Sequence, residues 1–239
     1  MGNRAQTNSA RKRGQGVTSV NAVNGDLFEL DDACEPRAER LGAGTMLLHG
    51  SAVADAAAIL ADLVRIVKTA PFRHMVIVGG RPMPVAMTNC GALGWLSDTS
   101  GYRYASFDPH SGLRWPPMPN GFLNLARAAA SQAGFAGFTP DACLINRYAP
   151  DARMSLHQDK DEHDFNAPIV SVSLGLPAIF LLGGVRRADR AQRLALNHGD
   201  VLVWGGPDRL RYHGVQALKA GYHPLLGDVR VNLTFRQAG

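Results

Sequence analysis

From Ala142 to its end the chain is written in short strand-forming runs: A-C-L-I-N-R-Y, I-V-S-V-S-L-G, A-I-F-L-L, D-V-L-V-W and V-R-V-N-L-T-F-R. No other feature narrows the possible folds as much. Turn residues at Asp151, Gly183-Gly184, His198-Gly199-Asp200 and Gly205-Gly206-Pro207 separate most of the runs. β-Branched and aromatic residues in runs this short, so closely punctuated, suit a jelly roll of two packed sheets. Helical signals gather earlier. The stretch from Ser51, a candidate cap, to Ala70 has strong helix formers, with Ile59, Leu60, Leu63 and Ile66 or Val67 as its apolar face. A second helix is expected over Gly121 to Gln132, stopped by Gly134. The predicted class is mainly β with flanking helices (α+β): a jelly-roll core over about 140–238, a helical buttress and a lid, in one domain from about residue 26.

The last run constrains chemistry as well as fold. Read with period two, Arg230, Asn232, Thr234 and Arg236 share one face, and Val231, Leu233 and Phe235 share the other. Two arginines facing a closed interior require an anion, because uncompensated buried charge is costly. A dicarboxylate would satisfy both guanidinium forks. Asn146 and Tyr148, also two apart, can add neutral donors from a neighbouring strand.

His157-Gln158-Asp159 places an imidazole and a carboxylate on one side of an extended segment, where both can reach one metal ion. Completed by a distant histidine, this is the facial triad of non-haem Fe(II) oxygenases, which leaves coordination positions open. Of the chain's eight histidines, seven remain to compete for the third place. His49, His74 and His110 lie outside the strand-rich region, His198 and His223 sit in turn contexts, and His163 lies in the charged run K-D-E-H-D. His213, in L-R-Y-H-G-V, occupies a short extended stretch between turns, as an opposing strand requires.

With 25 Lys+Arg against 20 Asp+Glu, the chain carries a net charge of +5, a mild bias towards polyanionic partners. Cys34, Cys90 and Cys143 are odd in number and far apart in sequence, so neither a disulfide framework nor a cysteine metal site is expected, and a reducing cytoplasm is. No apolar run is long enough to span a bilayer. Residues 1–25 are Gly, Asn, Ser and Thr with four basic side chains, the composition of a disordered basic tail. Between about 75 and 110, Gly79-Gly80, Pro82 and Pro84 break up β-like runs, and Trp95, Tyr102, Tyr104 and Phe107 mix with Arg81 and Arg103. Such a cover can stack on a base and neutralise a phosphate.

The blocks N-R-Y-A-P-D-A-R-M-S-L-H-Q-D-K-D-E, A-P-I-V-S-V-S-L-G-L-P-A-I-F, H-G-D-V-L-V-W-G-G, Y-H-G-V and R-V-N-L-T-F-R, with A-M-T-N-C-G-A-L-G-W and Gly101-Tyr102 before them, resemble the AlkB family of Fe(II)/2-oxoglutarate-dependent dioxygenases over roughly residues 70–238. The resemblance implies a double-stranded β-helix core, Fe(II) at His157, Asp159 and His213, and 2-oxoglutarate on Asn146, Tyr148, Arg230, Asn232 and Arg236. It further implies O2 as co-substrate and oxidative removal of alkyl groups from bases such as 1-methyladenine and 3-methylcytosine, with release of succinate, CO2 and an aldehyde. Trp95 and Tyr102 match lid aromatics of the base pocket, and Asp161 and Arg187 match positions near the lesion and the backbone. The implied partner is single- or double-stranded DNA, with RNA as the alternative, for a monomer away from membranes. Two other readings remain open: an oxygenase for a protein side chain or small molecule, which needs no base-stacking Trp95, and a non-catalytic damage-binding module, which needs neither the triad nor paired arginines.

Overall fold

The computed structural model describes residues 37–239; the basic N-terminal segment and Cys34 lie outside them. Along each central strand, alternate side chains go to opposite sides, and this alternation builds the layers. The strands are β1 (Arg37–Arg40), β2 (Thr45–His49), β3 (Arg73–Val76), β4 (Pro82–Gly91), β5 (Gly94–Asp98), β6 (Gly101–Ala105), β7 (Ala142–Tyr148), β8 (Met154–His157), β9 (Ile169–Gly175), β10 (Ala178–Leu182), β11 (Gln192–Leu196), β12 (Val201–Trp204), β13 (His213–Val215) and β14 (Arg230–Arg236). Helices α1 (Ala56–Thr69) and α2 (Asn120–Gln132) interrupt them. The major sheet runs β1-β2-β12-β9-β14-β7-β4-β3, the minor sheet runs β11-β10-β13-β8, and β5 and β6 form a separate hairpin.

Val231, Leu233 and Phe235 of β14, Val170, Val172 and Leu174 of β9, and Cys143 and Ile145 of β7 pack outward against Ile59, Leu63 and Ile66 of α1 and Phe122 and Ala126 of α2. From the same strands Arg230, Asn232, Ser171, Ser173 and Asn146 turn inward, between the sheets. The inner layer is closed by Phe180, Leu182, Trp204 and Val215. The expected jelly roll is therefore present, with β14 at the centre of the major sheet between β7 and β9.

Three local expectations are corrected. The first helix begins at Ala56, after an Asp55 N-cap without a side-chain bond, so Ser51 is not its cap. Residues 50–55 instead turn against the segment that leads into β12, where Ala52 N–H donates to Gly199 C=O. Leu60 and Val67 of the expected apolar face are only partly buried. The β-like runs of the proline-rich cover are also not broken at Pro82 and Pro84, since β4 spans ten residues of the major sheet and includes both. Its prolines are tolerated because β7 pairs with it only from Ala86 onward, so Pro82 and Pro84 lie where β4 has β3 alone as a neighbour. Apart from these corrections, Cys90 and Cys143, distant in sequence, stand opposite each other across β4 and β7 as buried free thiols. No helix among the described residues is long and apolar enough to cross a membrane.

Candidate active site

β8 and β13 pair antiparallel with His157 opposite His213. A Cβ at Gly214 would lie 2.7 Å from the Met154 carbonyl oxygen, so glycine is what lets β13 approach β8 this closely. The two imidazoles stand 4.4 Å apart, centroid to centroid. Asp159, just past β8, places Oδ1 3.6 Å from His157 Nε2 and Oδ2 3.6 Å from His213 Nε2. One ligand atom from each of the three lies within 4.8 Å of the others. Both Nδ1 atoms face backbone carbonyls, His157 that of Ser155 at 2.8 Å and His213 that of Arg211 at 3.0 Å, which leaves the Nε2 lone pairs aimed inward.

Electrostatics suit a cation here. Burial, then the neighbouring His213, pushes the His157 imidazole down to about 4, so its lone pair is free at neutral pH. Burial would raise the Asp159 carboxyl, but Arg236 and His213 overcome it and hold the group well below the usual carboxylate range. Two imidazoles and one carboxylate are a donor set for Fe(II), with positions left for other ligands.

Deeper in the same cavity, of about 600 Å³, Arg230 reaches inward from β14. It is 1% exposed, donates to Ser173 Oγ at 3.0 Å and lies 5.2 Å over the Tyr148 ring. Its Nε and Nη1 have no partner, and neither has the Asn146 side-chain oxygen. Burial pulls the Arg230 pKa down, as it must for a cation with no anion opposite. The two orphaned guanidinium donors fit a carboxylate of 2-oxoglutarate. Asn232 is different: its amide is occupied by Ser171 Oγ at 2.7 Å and Val172 C=O at 3.0 Å, and its oxygen accepts from Thr234 at 2.9 Å. Arg236 is also engaged, donating to Asp159 Oδ2 from Nη2 at 2.6 Å and from Nε at 3.0 Å. In this structure it grips the candidate metal ligand, whereas Arg230 keeps Nε and Nη1 without a partner.

At the mouth, Trp95 and Tyr102 from the β5–β6 hairpin stack at 5.6 Å and 16°. Trp95 Nε1 donates to Asp161 Oδ2 at 2.9 Å. Arg187, exposed on the rim, lies 5.6 Å from the Tyr212 ring. The structure thus brings the expected metal, 2-oxoglutarate and base-pocket residues into one cavity, but not Arg103, Tyr104 and Phe107 of the cover. Sequence reasoning missed Glu162 and Arg209, buried behind Asp159, and offered Tyr104 as a stacking aromatic where its hydroxyl instead bonds Glu162. Nothing marked the first two, because Glu162 sits in a run that reads as a solvated charged loop.

The chain matches the sequence profile of the 2OG-Fe(II) oxygenase superfamily over residues 44–236. It is 56% identical over 213 residues to the alpha-ketoglutarate-dependent dioxygenase AlkB of Escherichia coli (strain K12), covering 89% of this chain and 99% of that one. It is 35% identical over 125 residues to the nucleic acid dioxygenase ALKBH1 of Mus musculus, covering 52% of this chain and 31% of that protein. The solved structure of OsALKBH1 aligns with a TM-score of 0.74 and 29% identity, over 84% of this chain and all of that one. Fold, donor set and anion site therefore define a 2OG-Fe(II) oxygenase. Within that class, the chain belongs to the AlkB family of alpha-ketoglutarate-dependent dioxygenases. Its chemistry uses Fe(II), 2-oxoglutarate and O2.

Proposed function

We propose that this enzyme oxidatively removes alkyl groups from nitrogen atoms of nucleobases, in DNA first and RNA as the alternative. The observation that carries the reading is one continuous cavity, with the His157-Asp159-His213 cluster and the buried Arg230 in its wall, stacked aromatics at its mouth and exposed Arg81, Arg153, Lys160 and Arg187 around its rim. Aromatic faces hold a base, and the rim cations suit phosphate. The mouse relative is named for nucleic acid. A protein side chain or small molecule gives no reason for both features.

In this reading His157, Asp159 and His213 hold Fe(II). Arg230 and Tyr148 take the far carboxylate of 2-oxoglutarate, Asn146 adds a polar contact, Asn232 fixes Asn146 and Ser171, and Arg236 serves the near end through Asp159. Bound together, Fe(II), 2-oxoglutarate and O2 supply an oxidant that hydroxylates a C–H bond while 2-oxoglutarate becomes succinate and CO2. The residues of the chain do the rest. Trp95 and Tyr102 hold the base flipped from its stack, and Asp161 offers a carboxylate to a base that carries positive charge when N-methylated. Arg187 holds the strand. The hydroxymethyl group left on nitrogen then collapses to formaldehyde and the restored base.

We take residues 26–239 as one dioxygenase domain with a lid at about 75–110, working as a monomer. Free thiols at Cys90 and Cys143, although opposite each other, support a reducing cytoplasm. Incubation with Fe(II), 2-oxoglutarate and oligonucleotides bearing 1-methyladenine or 3-methylcytosine, as single- and double-stranded DNA and RNA, is expected to release formaldehyde from at least one DNA form. Succinate without formaldehyde from any strand would favour a protein or small-molecule substrate.

A further inference from the structure

The lid hairpin and the segment that carries Asp159 are bolted together by two neighbouring contacts. Trp95 on β5 and Tyr104 on β6 are cross-strand partners. Each reaches one of two consecutive acids just past Asp159: Trp95 bonds Asp161, and the Tyr104 hydroxyl donates to Glu162 Oε1 at 2.7 Å. Glu162 does not line the cavity, and neither do Tyr104 and Arg209, so none of the three is placed to touch substrate.

The Glu162 side chain is 2% exposed and collects both arginines that hold Asp159. Its Oε2 accepts from Arg209 Nη2 at 2.9 Å, and its Oε1 lies 3.3 Å from Arg236 Nε. Arg209 donates to the Asp159 backbone carbonyl at 2.7 Å and to that of Ala167 at 3.0 Å. Arg236 holds the Asp159 carboxylate at Oδ2. Asp159 is therefore fixed at its backbone by one guanidinium and at its side chain by another, and Glu162 neutralises and aims both. Burying a carboxylate with two arginines is a weak way to gain stability but an effective way to fix geometry.

We propose that Glu162 is a positioning residue that sets the Asp159 carboxylate for the metal, and that Tyr104 makes this setting depend on the lid hairpin. The inference rests on the reading of His157, Asp159 and His213 as the metal ligands. A base stacked on Trp95 and Tyr102 would stabilise the hairpin over Asp161 and Glu162, and the metal site would sense substrate through Tyr104. By linkage, metal should then tighten oligonucleotide binding by the factor by which the oligonucleotide tightens metal.

The test is Mn(II) affinity by calorimetry, with metal-free melting alongside, for wild type, Asp159→Ala, Glu162→Gln, Tyr104→Phe and the Glu162→Gln/Tyr104→Phe pair. Glu162→Gln is expected to weaken Mn(II) binding about tenfold, the lower end for residues that orient metal ligands. Tyr104→Phe loses only a hydroxyl and should weaken binding on the order of threefold with unchanged metal-free melting, and the pair should be no worse than Glu162→Gln alone. Wild-type Mn(II) affinity in Tyr104→Phe and Glu162→Gln overturns the proposal, as does strict additivity in the pair. Lowered melting with unchanged affinity overturns it too, because that is what a purely structural ion cluster would give. If Glu162→Gln does not fold, Tyr104→Phe decides alone. Unchanged Mn(II) binding in Asp159→Ala would remove the metal assignment itself, and is separable from the failure of Tyr104 and Glu162 alone.

Discussion

His157 and His213 face each other across the β8–β13 pairing with their rings 4.4 Å apart, although 56 positions separate them in the chain. The closeness depends on Gly214, where a side chain would run into the Met154 carbonyl oxygen at 2.7 Å. Gly214→Val is therefore expected to push β13 off β8 and weaken Mn(II) binding by roughly tenfold or more, the range seen when the support of metal ligands is lost. Calorimetry checks this, and wild-type affinity would show that the strand approach does not set the ligand spacing.

Arg230 is the buried cation with unpaired donors, so it should be the main anchor of 2-oxoglutarate. Removing a charge-assisted hydrogen-bonding partner costs about 1.5–3 kcal/mol, and Arg230→Ala should raise the KM for 2-oxoglutarate by about 10- to 100-fold. Arg236→Ala should differ by weakening metal binding as well, because it releases Asp159. Steady-state succinate assays at varied 2-oxoglutarate and metal separate the two patterns.

Base stacking is worth about 1–3 kcal/mol by alanine substitution. Trp95→Ala should lower activity on a methylated oligonucleotide by roughly one to two orders of magnitude. Mn(II) should still bind, although the Asp161 contact is lost. Undiminished repair would remove the lid aromatics from base recognition while leaving the enzyme class intact.

Much of this was legible before the fold. The alternation of β14 separated Val231, Leu233 and Phe235 from Arg230, Asn232 and Arg236, because a period-two pattern survives any packing that keeps the strand central. The H-x-D spacing is local in the same way. Glu162 was not legible, since its burial is decided by Arg209, 47 positions away, and by Tyr104, 58 away. The start of α1 was misplaced because residues 50–55 are fixed by Gly199 and Asp200 rather than by a cap. Pro82 and Pro84 argued against a strand, yet β7 stops short of them, and sequence alone does not say where a neighbouring strand ends.

Acid should loosen the metal-free protein. His157, His198 and His223 all sit below the ordinary imidazole value of 6.5, His157 at about 4. Burial comes first in each; His157 adds the nearby His213, and His198 adds His223, whose ring stacks on it at 4.3 Å. The folded state keeps them neutral while the unfolded chain protonates below pH 6.5, so their contribution is complete above that pH and is lost as pH falls towards the folded values. Melting followed from neutral pH to about pH 5 should show a falling Tm, and the His198→Gln/His223→Gln pair should show a shallower fall. A Tm independent of pH across that window would contradict this account of the histidines.

The most direct measurement is the amount of restored base per succinate when the enzyme turns over an oligonucleotide carrying 1-methyladenine or 3-methylcytosine, read by mass spectrometry in wild type and Asp159→Ala. The expected result is one restored base and one formaldehyde per succinate formed with substrate in the wild type, and none in Asp159→Ala. Succinate without restored base in the wild type, or repair undiminished in Asp159→Ala, would contradict the claim that methylated bases are oxidised over His157, Asp159 and His213.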